Sequence, residues 1–259
     1  MLQLDRLVKT FGGVRAVDGV SLSVDVGELR GLIGPNGAGK STLFSLVTGH
    51  LRPEAGTISF EGQRIERLRP AARARLGIAI TFQTVHLFRG MTTLENVMVG
   101  AHSWTNHEFA EAALRLPRHC REEPKIRDSA RQAVVRAGLE RWADVPAESL
   151  PLGRQRALQI ARALCGNPKL LLLDEPAAGL RGEERSELSE LLACLCGEGF
   201  TMLLVEHDIG FVSRVADRVT VLDMGRVIAE GSPTEVRANE AVIVAYLGSV
   251  AHDDGAVSR

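Results

Sequence analysis

Aromatic side chains are scarce in this chain of 259 residues: 4% of the whole, with one tyrosine and two tryptophans. That is thin for a platform on which the bases of a single strand could stack. Charge of one sign is missing too. The formal net charge is −1, and the scattered basic residues, mostly Arg, build no field that would draw nucleic acid. No apolar run approaches the roughly 18 residues of a membrane-spanning helix. The opening MLQLDRLVKT alternates like a strand and lacks the basic start and apolar run of a secretory leader. The expectation is a protein made and kept in the cytosol, free to dock on a membrane protein. The four cysteines, Cys120, Cys165, Cys194 and Cys196, fall in no metal-ligand spacing. They read as reduced packing residues. There is no internal repeat and no low-complexity linker. With 45% hydrophobic and 24% charged residues, the chain reads as one large domain with room for a subdomain.

The apolar pattern divides the chain. Residues 20–28 (VSLSVDVGE) alternate as a strand, and ELRGLIG leads into a glycine-rich loop. STLFSLVTG continues as a helix that stops at Gly49. Short strands are expected at 56–62 and 77–83. Residues 92–165 change character, with helical spacing at 108–116, 125–139 and 153–165. Within the last of these, Ala157, Ile160, Ala161 and Leu164 share one face. KLLLLDEP (169–176) then reads as a parallel strand buried on both faces. A helix over about 182–198, a strand over 200–208, a short helix, a hairpin over 218–231 and a closing helix over 239–248 follow. The last residues, 249–259, read as a frayed tail. His102, His107 and His119 in the helical stretch show no metal spacing and read as surface residues.

The strongest motif is GPNGAGKST, residues 34–42, a G-x-x-x-x-G-K-[ST] pattern with a strand before it and a helix after. Gly34, Gly37 and Gly39 let successive backbone N–H groups point into one concavity, which suits phosphate charge. Pro35, Asn36, Ala38 and Thr42 complete the segment. Lys40 is placed to reach the outer phosphates, and the Ser41 hydroxyl to coordinate magnesium. Asp174 and Glu175 end an apolar strand, at the sheet edge where ligands bind in such folds. Asp174 suits the magnesium shell, and Glu175 the polarising of an attacking water. Gln83 ends the strand expected at 77–83, and His207 follows another apolar strand, where it is placed to reach a γ-phosphate.

In these motifs, in their order, the sequence resembles the ATP-binding subunit of ABC transporters over essentially its whole length. FGGVRAVDGVSLSV, TFQTVHLFRGMTTLENVMVG, DEPAAGL, VEHDI and VAYLGS narrow the likeness to the ATPases of high-affinity branched-chain amino acid importers. The resemblance implies an α/β P-loop NTPase core with an antiparallel β subdomain and a helical subdomain. The core and β subdomain would take residues 1–90 and 166–248, the helical part 91–165 and the tail 249–259. It implies ATP and Mg2+ as ligands, with Phe11 stacking on adenine, Val17 adding an apolar contact, and Gln83 joining the metal and catalytic groups. It also implies integral membrane permease subunits, one of whose helices would sit near Gln83 and the helical insertion. A second ATPase, identical or different, and an extracytoplasmic solute-binding protein acting indirectly complete the set. No nucleic acid is involved, and the site of action is the cytoplasmic face of the membrane. Lipid or other export, and a soluble ATP switch, are the alternative roles.

The family signature L-S-G-G-Q aligns with Leu150, Pro151, Leu152, Gly153 and Arg154. By resemblance this loop and its helix N-terminus complete the ATP site of the partner ATPase. The serine is gone, and one lost charge-assisted hydrogen bond is worth about 1.5–3 kcal/mol. That is about one to two decades of rate if felt wholly in the transition state. Arg154 would return a cation near the phosphates, so the loop is expected to be altered but working. Arg181 stands where the family usually has an acidic residue after the Asp174–Glu175 pair.

Overall fold

The computed structural model describes the backbone of residues 1–103 and 119–253, and the side chains of 1–101 and 123–246. The expected helix at 108–116 and the residues His102, His107, His119 and Cys120 lie outside the described side chains. A four-stranded antiparallel sheet has the order β2-β1-β4-β5, from β1 (Leu2–Phe11), β2 (Val14–Val24), β4 (Ala55–Phe60) and β5 (Gln63–Arg64). The second sheet has the order β10-β9-β3-β8-β7-β6. Its strands are β3 (Leu29–Ile33), β6 (Ile78–Thr81), β7 (Leu170–Asp174), β8 (Thr201–Val205), β9 (Arg218–Asp223) and β10 (Arg226–Gly231). From β9 through β3, β8 and β7 to β6 every pairing is parallel, and only β10 runs antiparallel. The observed architecture is thus the α/β class expected.

The central strands β7 and β8 are apolar on both sides over nearly their whole length because both faces are covered, whereas β3 buries one charge, Arg30, paired with Glu28 and Glu230. Leu171 and Leu173 of β7 enter the core on one side of the sheet, Leu170 and Leu172 the core on the other. Met202 and Leu204 against Leu203 and Val205 of β8 divide in the same way. Each such leucine is worth roughly 1.5–3 kcal/mol of burial. One side is closed by the antiparallel sheet and α1 (Lys40–Thr48). The other is closed by α3 (Thr93–Met98), α4 (His119–Arg136), α5 (Leu152–Cys165), α6 (Gly182–Gly197) and α7 (Ile209–Val215). Among these, α3, α4 and α5 pack on one another.

Local chemistry fixes the ends of several helices. Thr92 accepts from Glu95 N–H while the Glu95 carboxylate accepts from Thr92 N–H, a reciprocal cap that starts α3. Ser232 and Glu235 do the same for α8 (Pro233–Ala238), with Pro233 in its first turn. Asp208 starts α7 by accepting from Phe211 N–H at 3.0 Å. At the other end of α1, the buried Arg73 of α2 (Pro70–Arg75) donates to the Leu46 and Val47 carbonyls, which that helix end leaves without partners.

Some boundaries differ from the sequence reading. β2 begins at Val14, earlier than expected, because it continues along β1 to the turn at residues 12 and 13. β6 ends at Thr81 and β8 at Val205, so Gln83 and His207 lie beyond their strands, in the loops. The closing helix α9 (Glu240–Asp253) runs past residue 248, into the stretch expected to be tail.

The loop after β3 is wedged between β2 and β9. A Cβ at Gly34 would collide with the Leu222 carbonyl, and one at Gly39 (φ +102°) with the Ala16 carbonyl. Replacing Gly39 by Ala should cost about 1–3 kcal/mol, from strain at that φ and displacement of β2. A thermal melt of the nucleotide-free protein reads this, and an unchanged midpoint would contradict the wedge.

Candidate functional site

Four parallel strands lie side by side, β3, β8, β7 and β6, and their carboxyl ends share one rim. Loop 34–42 leaves β3, Glu206 and His207 leave β8, Asp174 and Glu175 leave β7, and Gln83 follows β6. The topology thus gathers on one edge groups that stand up to 173 residues apart in sequence.

In the loop, Ala38 N–H turns back to Pro35 O (3.2 Å), and Leu43 N–H returns to Gly39 O (2.9 Å). The N–H groups of Gly37, Gly39, Lys40 and Ser41 find no protein acceptor among the described residues. They form an open concavity of donors at the start of α1, which fits phosphate oxygens. Lys40 is buried and bends back over the loop, its Nζ donating to Gly34 O (2.6 Å) and Pro35 O (3.0 Å). Burial pulls its pKa down, and the nearby charges of Glu175, Glu206 and Asp174 oppose that fall. The loop residues Asn36, Gly37 and Ser41 are exposed, and Thr42 is half-buried.

The acidic groups crowd together. Burial pushes Asp174 up to about 6, helped by the neighbouring Glu175 charge and opposed by Lys40. Glu175 has a left-handed φ of 43° and gives its N–H to Val205 O at 2.9 Å. Its Oε2 accepts from Gln83 Nε2 at 2.6 Å. His207 Nδ1 stands 3.9 Å from that same oxygen and 3.7 Å from Glu206 Oε2. Glu206 is 0% exposed; burial raises its pKa, and it accepts from Ala177 N–H at 2.9 Å. The structure therefore brings Gln83, Asp174, Glu175 and His207 to the loop that carries Lys40 and Ser41. A half-buried carboxylate at Asp174, on the same rim as the Ser41 hydroxyl and the Gln83 side-chain amide, gives a hard oxygen donor set of the kind magnesium takes.

Phe11, at the end of β1, is 46% exposed, with Lys9 Nζ 5.4 Å from its ring centre. Val17 is 0% exposed, inside the core beneath the antiparallel sheet. This corrects the expected contact between Val17 and a base: the register that exposes Phe11 and Val14 turns Val17 inward.

Gly153 and Arg154 stand apart from this cluster, and no hydrogen bond or ion pair joins them to loop 34–42 among the described residues. Pro151 caps α5 without a side-chain bond. Gly153 N–H donates to Glu184 Oε1 (3.0 Å), and Arg181 N–H to Glu184 Oε2 (3.2 Å). One carboxylate thus caps two helices. Arg154 pairs with Glu187 at 2.9 Å, so its charge is balanced inside the chain and not held free.

Sequence reasoning missed several members. Arg156, Gln159 and Arg162 lie three apart on the polar side of α5, which proves to be largely buried. They donate to carbonyls of residues 82–86. The spacing of three polar residues opposite an apolar face was the available signal. Glu184 and Glu187 carry the same spacing on α6. Tyr246, the one tyrosine, reaches the backbone of Gly34 from α9, and burial pushes it up to about 12; nothing local in the sequence signals that.

The fold and this rim define a P-loop nucleotide-binding protein. The family model described as "ABC transporter" matches residues 17–178, and one described as "Branched-chain amino acid ATP-binding cassette transporter" matches 226–252. The chain belongs to the ABC transporter family, among its ATP-binding cassettes. The high-affinity branched-chain amino acid transport ATP-binding protein LivG of Salmonella typhimurium is 42% identical, over 96% of this chain and 98% of that protein. A crystal structure of an ABC transporter cassette in its ADP conformation superposes with a TM-score of 0.84 at 32% identity, covering 96% of this chain and 98% of the other. A dimeric bacterial ABC transporter cassette gives 0.73 at 28% identity, covering 90% and 99%.

The raised pKa of Asp174 has a thermodynamic consequence. A carboxyl whose folded pKa lies above its unfolded value of about 3.9 stabilises the fold below that value. That stability is lost as pH rises through about 6. Without nucleotide or magnesium, Asp174→Asn should therefore raise the melting temperature at pH 7.5, by ~1–2 kcal/mol of stability, and give no gain near pH 4. Equal melting of the two proteins at pH 7.5 would contradict the burial argument.

Proposed function

We propose that this chain is the ATP-binding and ATP-hydrolysing subunit of an ABC importer for branched-chain amino acids or related small amino acids and amides. The observation that carries the reading is the shared rim, where an open phosphate cradle faces Asp174, Glu175, Gln83 and His207. The match of residues 226–252 to the branched-chain family model supports this cargo class over a lipid or other export system and over a soluble ATP switch.

The loop amides and Lys40 hold the phosphates of ATP, and Phe11 offers its exposed face to the adenine. Ser41, Asp174 and Gln83 would hold magnesium, which supplies charge neutralisation on the phosphates. Glu175 orients a water against the γ-phosphorus, and the P–O bond to ADP breaks as the water oxygen bonds phosphorus. His207 donates to the γ-phosphate, where charge gathers in the transition state. Lys40 must leave the Gly34 and Pro35 carbonyls to serve this role, exchanging neutral acceptors for charged ones.

Gly153 and Arg154, remote from the loop, are read as serving the nucleotide of a second cassette, identical or different. No helix of the described residues is long and apolar enough to cross a membrane, so contact with the membrane passes through permease subunits. A groove of about 480 Å³ between α2, β6 and α5, lined by Ala71, Ala74, Ile80, Phe82 and Arg162, is the proposed permease dock. On this reading the chain works at the cytoplasmic face of the membrane, and the solute-binding protein touches the permease alone.

In the purified transporter, Glu175→Gln should lower ATP turnover by about 10²–10⁴-fold while leaving MgATP binding in place. Unchanged turnover would remove Glu175 from the chemistry. Titration calorimetry on the isolated chain should find MgATP binding lost in Lys40→Ala. Binding equal to that of the unaltered chain would overturn the cradle.

A further inference from the structure

We propose that Arg156 is a positioning residue for hydrolysis: it fixes the distance between Gln83 and Glu175 by clamping the backbones of their two loops together. The inference rests on the reading of Gln83 and Glu175 given above.

Arg156 stands in the second turn of α5 and is 6% exposed. Its Nη1 donates to the carbonyl of Gln83, and its Nη2 donates to the carbonyl of Ala178 at 3.0 Å. These carbonyls belong to the loop after β6 and the loop after β7. Ala178 is itself tied to the acidic pair, because its N–H donates to Glu175 O at 3.1 Å. The Gln83 side chain then closes a ring by donating to Glu175 Oε2 at 2.6 Å. The circuit runs from the Gln83 backbone through the guanidinium to Ala178, on to Glu175, and back to Gln83. In such a ring the separation of the Gln83 and Glu175 side chains is set by covalent geometry and four hydrogen bonds.

The chemistry of the clamp argues that it serves something other than packing. A guanidinium this deep costs solvation, and burial draws its pKa down. No carboxylate pairs with it among the described residues, and its Nε has no hydrogen-bond partner. An apolar side chain would fill the same space more cheaply. What an apolar residue lacks is a planar fork that can hold two carbonyls at once, and a lysine ammonium has no such fork either. Gln159, one turn along, donates to Phe82 O (3.4 Å) and Thr84 O (3.1 Å), so the residues on both sides of Gln83 are held by the same helix. Gln159 also lines the groove proposed as the permease dock. The helix that fixes Gln83 is thus the wall against which the docked segment rests.

The test uses the intact purified transporter, with kcat and KM for MgATP measured for the unaltered complex, Arg156→Lys and Glu175→Gln. Arg156→Lys keeps the charge and loses the fork. The expected result is a fall in kcat of tenfold or more with KM within twofold and an unshifted melting temperature. An unchanged kcat overturns the proposal. So does a fall matched by an equal loss of ATP-binding sites, because that is the signature of a damaged fold. If Arg156→Lys does not assemble, Gln159→Met loosens the same loop and removes from the guanidinium only the long 3.5 Å contact of Arg156 Nη1 to Gln159 Oε1, leaving both of its carbonyl bonds in place. A lowered kcat at constant KM then supports the clamp, and an unaltered kcat overturns it. Glu175→Gln separates the two readings. If it abolishes turnover while Arg156→Lys does not, only the clamp fails; if it leaves turnover intact, the underlying assignment fails.

Discussion

Everything in this molecule depends on four adjacent strands that are apolar over most of their buried length, the one buried charge among them being Arg30 of β3, which Glu28 and Glu230 pair. β3, β8, β7 and β6 are covered on both faces, so no polar side chain can stand in their middles without a partner. Polar chemistry is pushed to the strand ends. Because the strands are parallel, all four carboxyl ends reach the same edge. The leucines of β7 therefore do more than stabilise the fold. They fix where Asp174 and Glu175 emerge, and the matching runs in β8 and β3 fix His207 and loop 34–42 beside them.

That gathering has an electrostatic cost, which Asp174 records. Three carboxylates, Asp174, Glu175 and Glu206, lie around one ammonium, Lys40. Burial and the Glu175 charge push Asp174 up to about 6. The rim is short of positive charge, and a phosphate chain alone would deepen that shortage. A divalent cation entering with the phosphates would relieve both, since it lowers the pKa of whatever carboxylate it meets. The unfavourable solvation of Asp174 in the bare chain is thus the counterpart of its fitness for the bound state.

How much of this could be read from the sequence follows from the range of each signal. GPNGAGKST was legible because its chemistry is local: a strand, a bend of glycines, a lysine and a helix start within nine residues. Leu170 to Asp174 was legible because burial on both faces leaves a continuous apolar run. Val17 misled because residues 11–15 just before it are exposed and only the register of β1 against β2 turns it inward. Arg154 was only half legible, for a different reason. A surface arginine looks free until its neighbour on another helix is known, and Glu187 is 33 residues away. Arg156 offered only its spacing with Gln159 and Arg162 opposite the apolar face of α5, since its partners are backbone carbonyls and carry no side-chain signature.

The charged groups on both halves of the proposed nucleotide machinery are paired within the bare chain, while the loop amides of Gly37, Gly39, Lys40 and Ser41 are open, and this sets the form that ligand binding must take. On the loop side, Lys40 gives its protons to the Gly34 and Pro35 carbonyls. On the helix side, Gly153 gives its N–H to Glu184, and Arg154 its guanidinium to Glu187. At Lys40, Gly153 and Arg154 a phosphate exchanges one acceptor for another, and at the open loop amides it displaces water, so the net gain per bond is of the order of 0.5–1.5 kcal/mol and not the gross 4–6. The two halves differ in what is displaced. Lys40 gives up neutral carbonyls for charged oxygens, which favours the ligand. Gly153 and Arg154 give up carboxylates, so the ligand there replaces a charge with a charge and gains less. By this accounting the loop side binds nucleotide first, and the α5 side is the step whose energy must come from elsewhere, from the approach of a second cassette or from the segment seated in the groove beside Gln159.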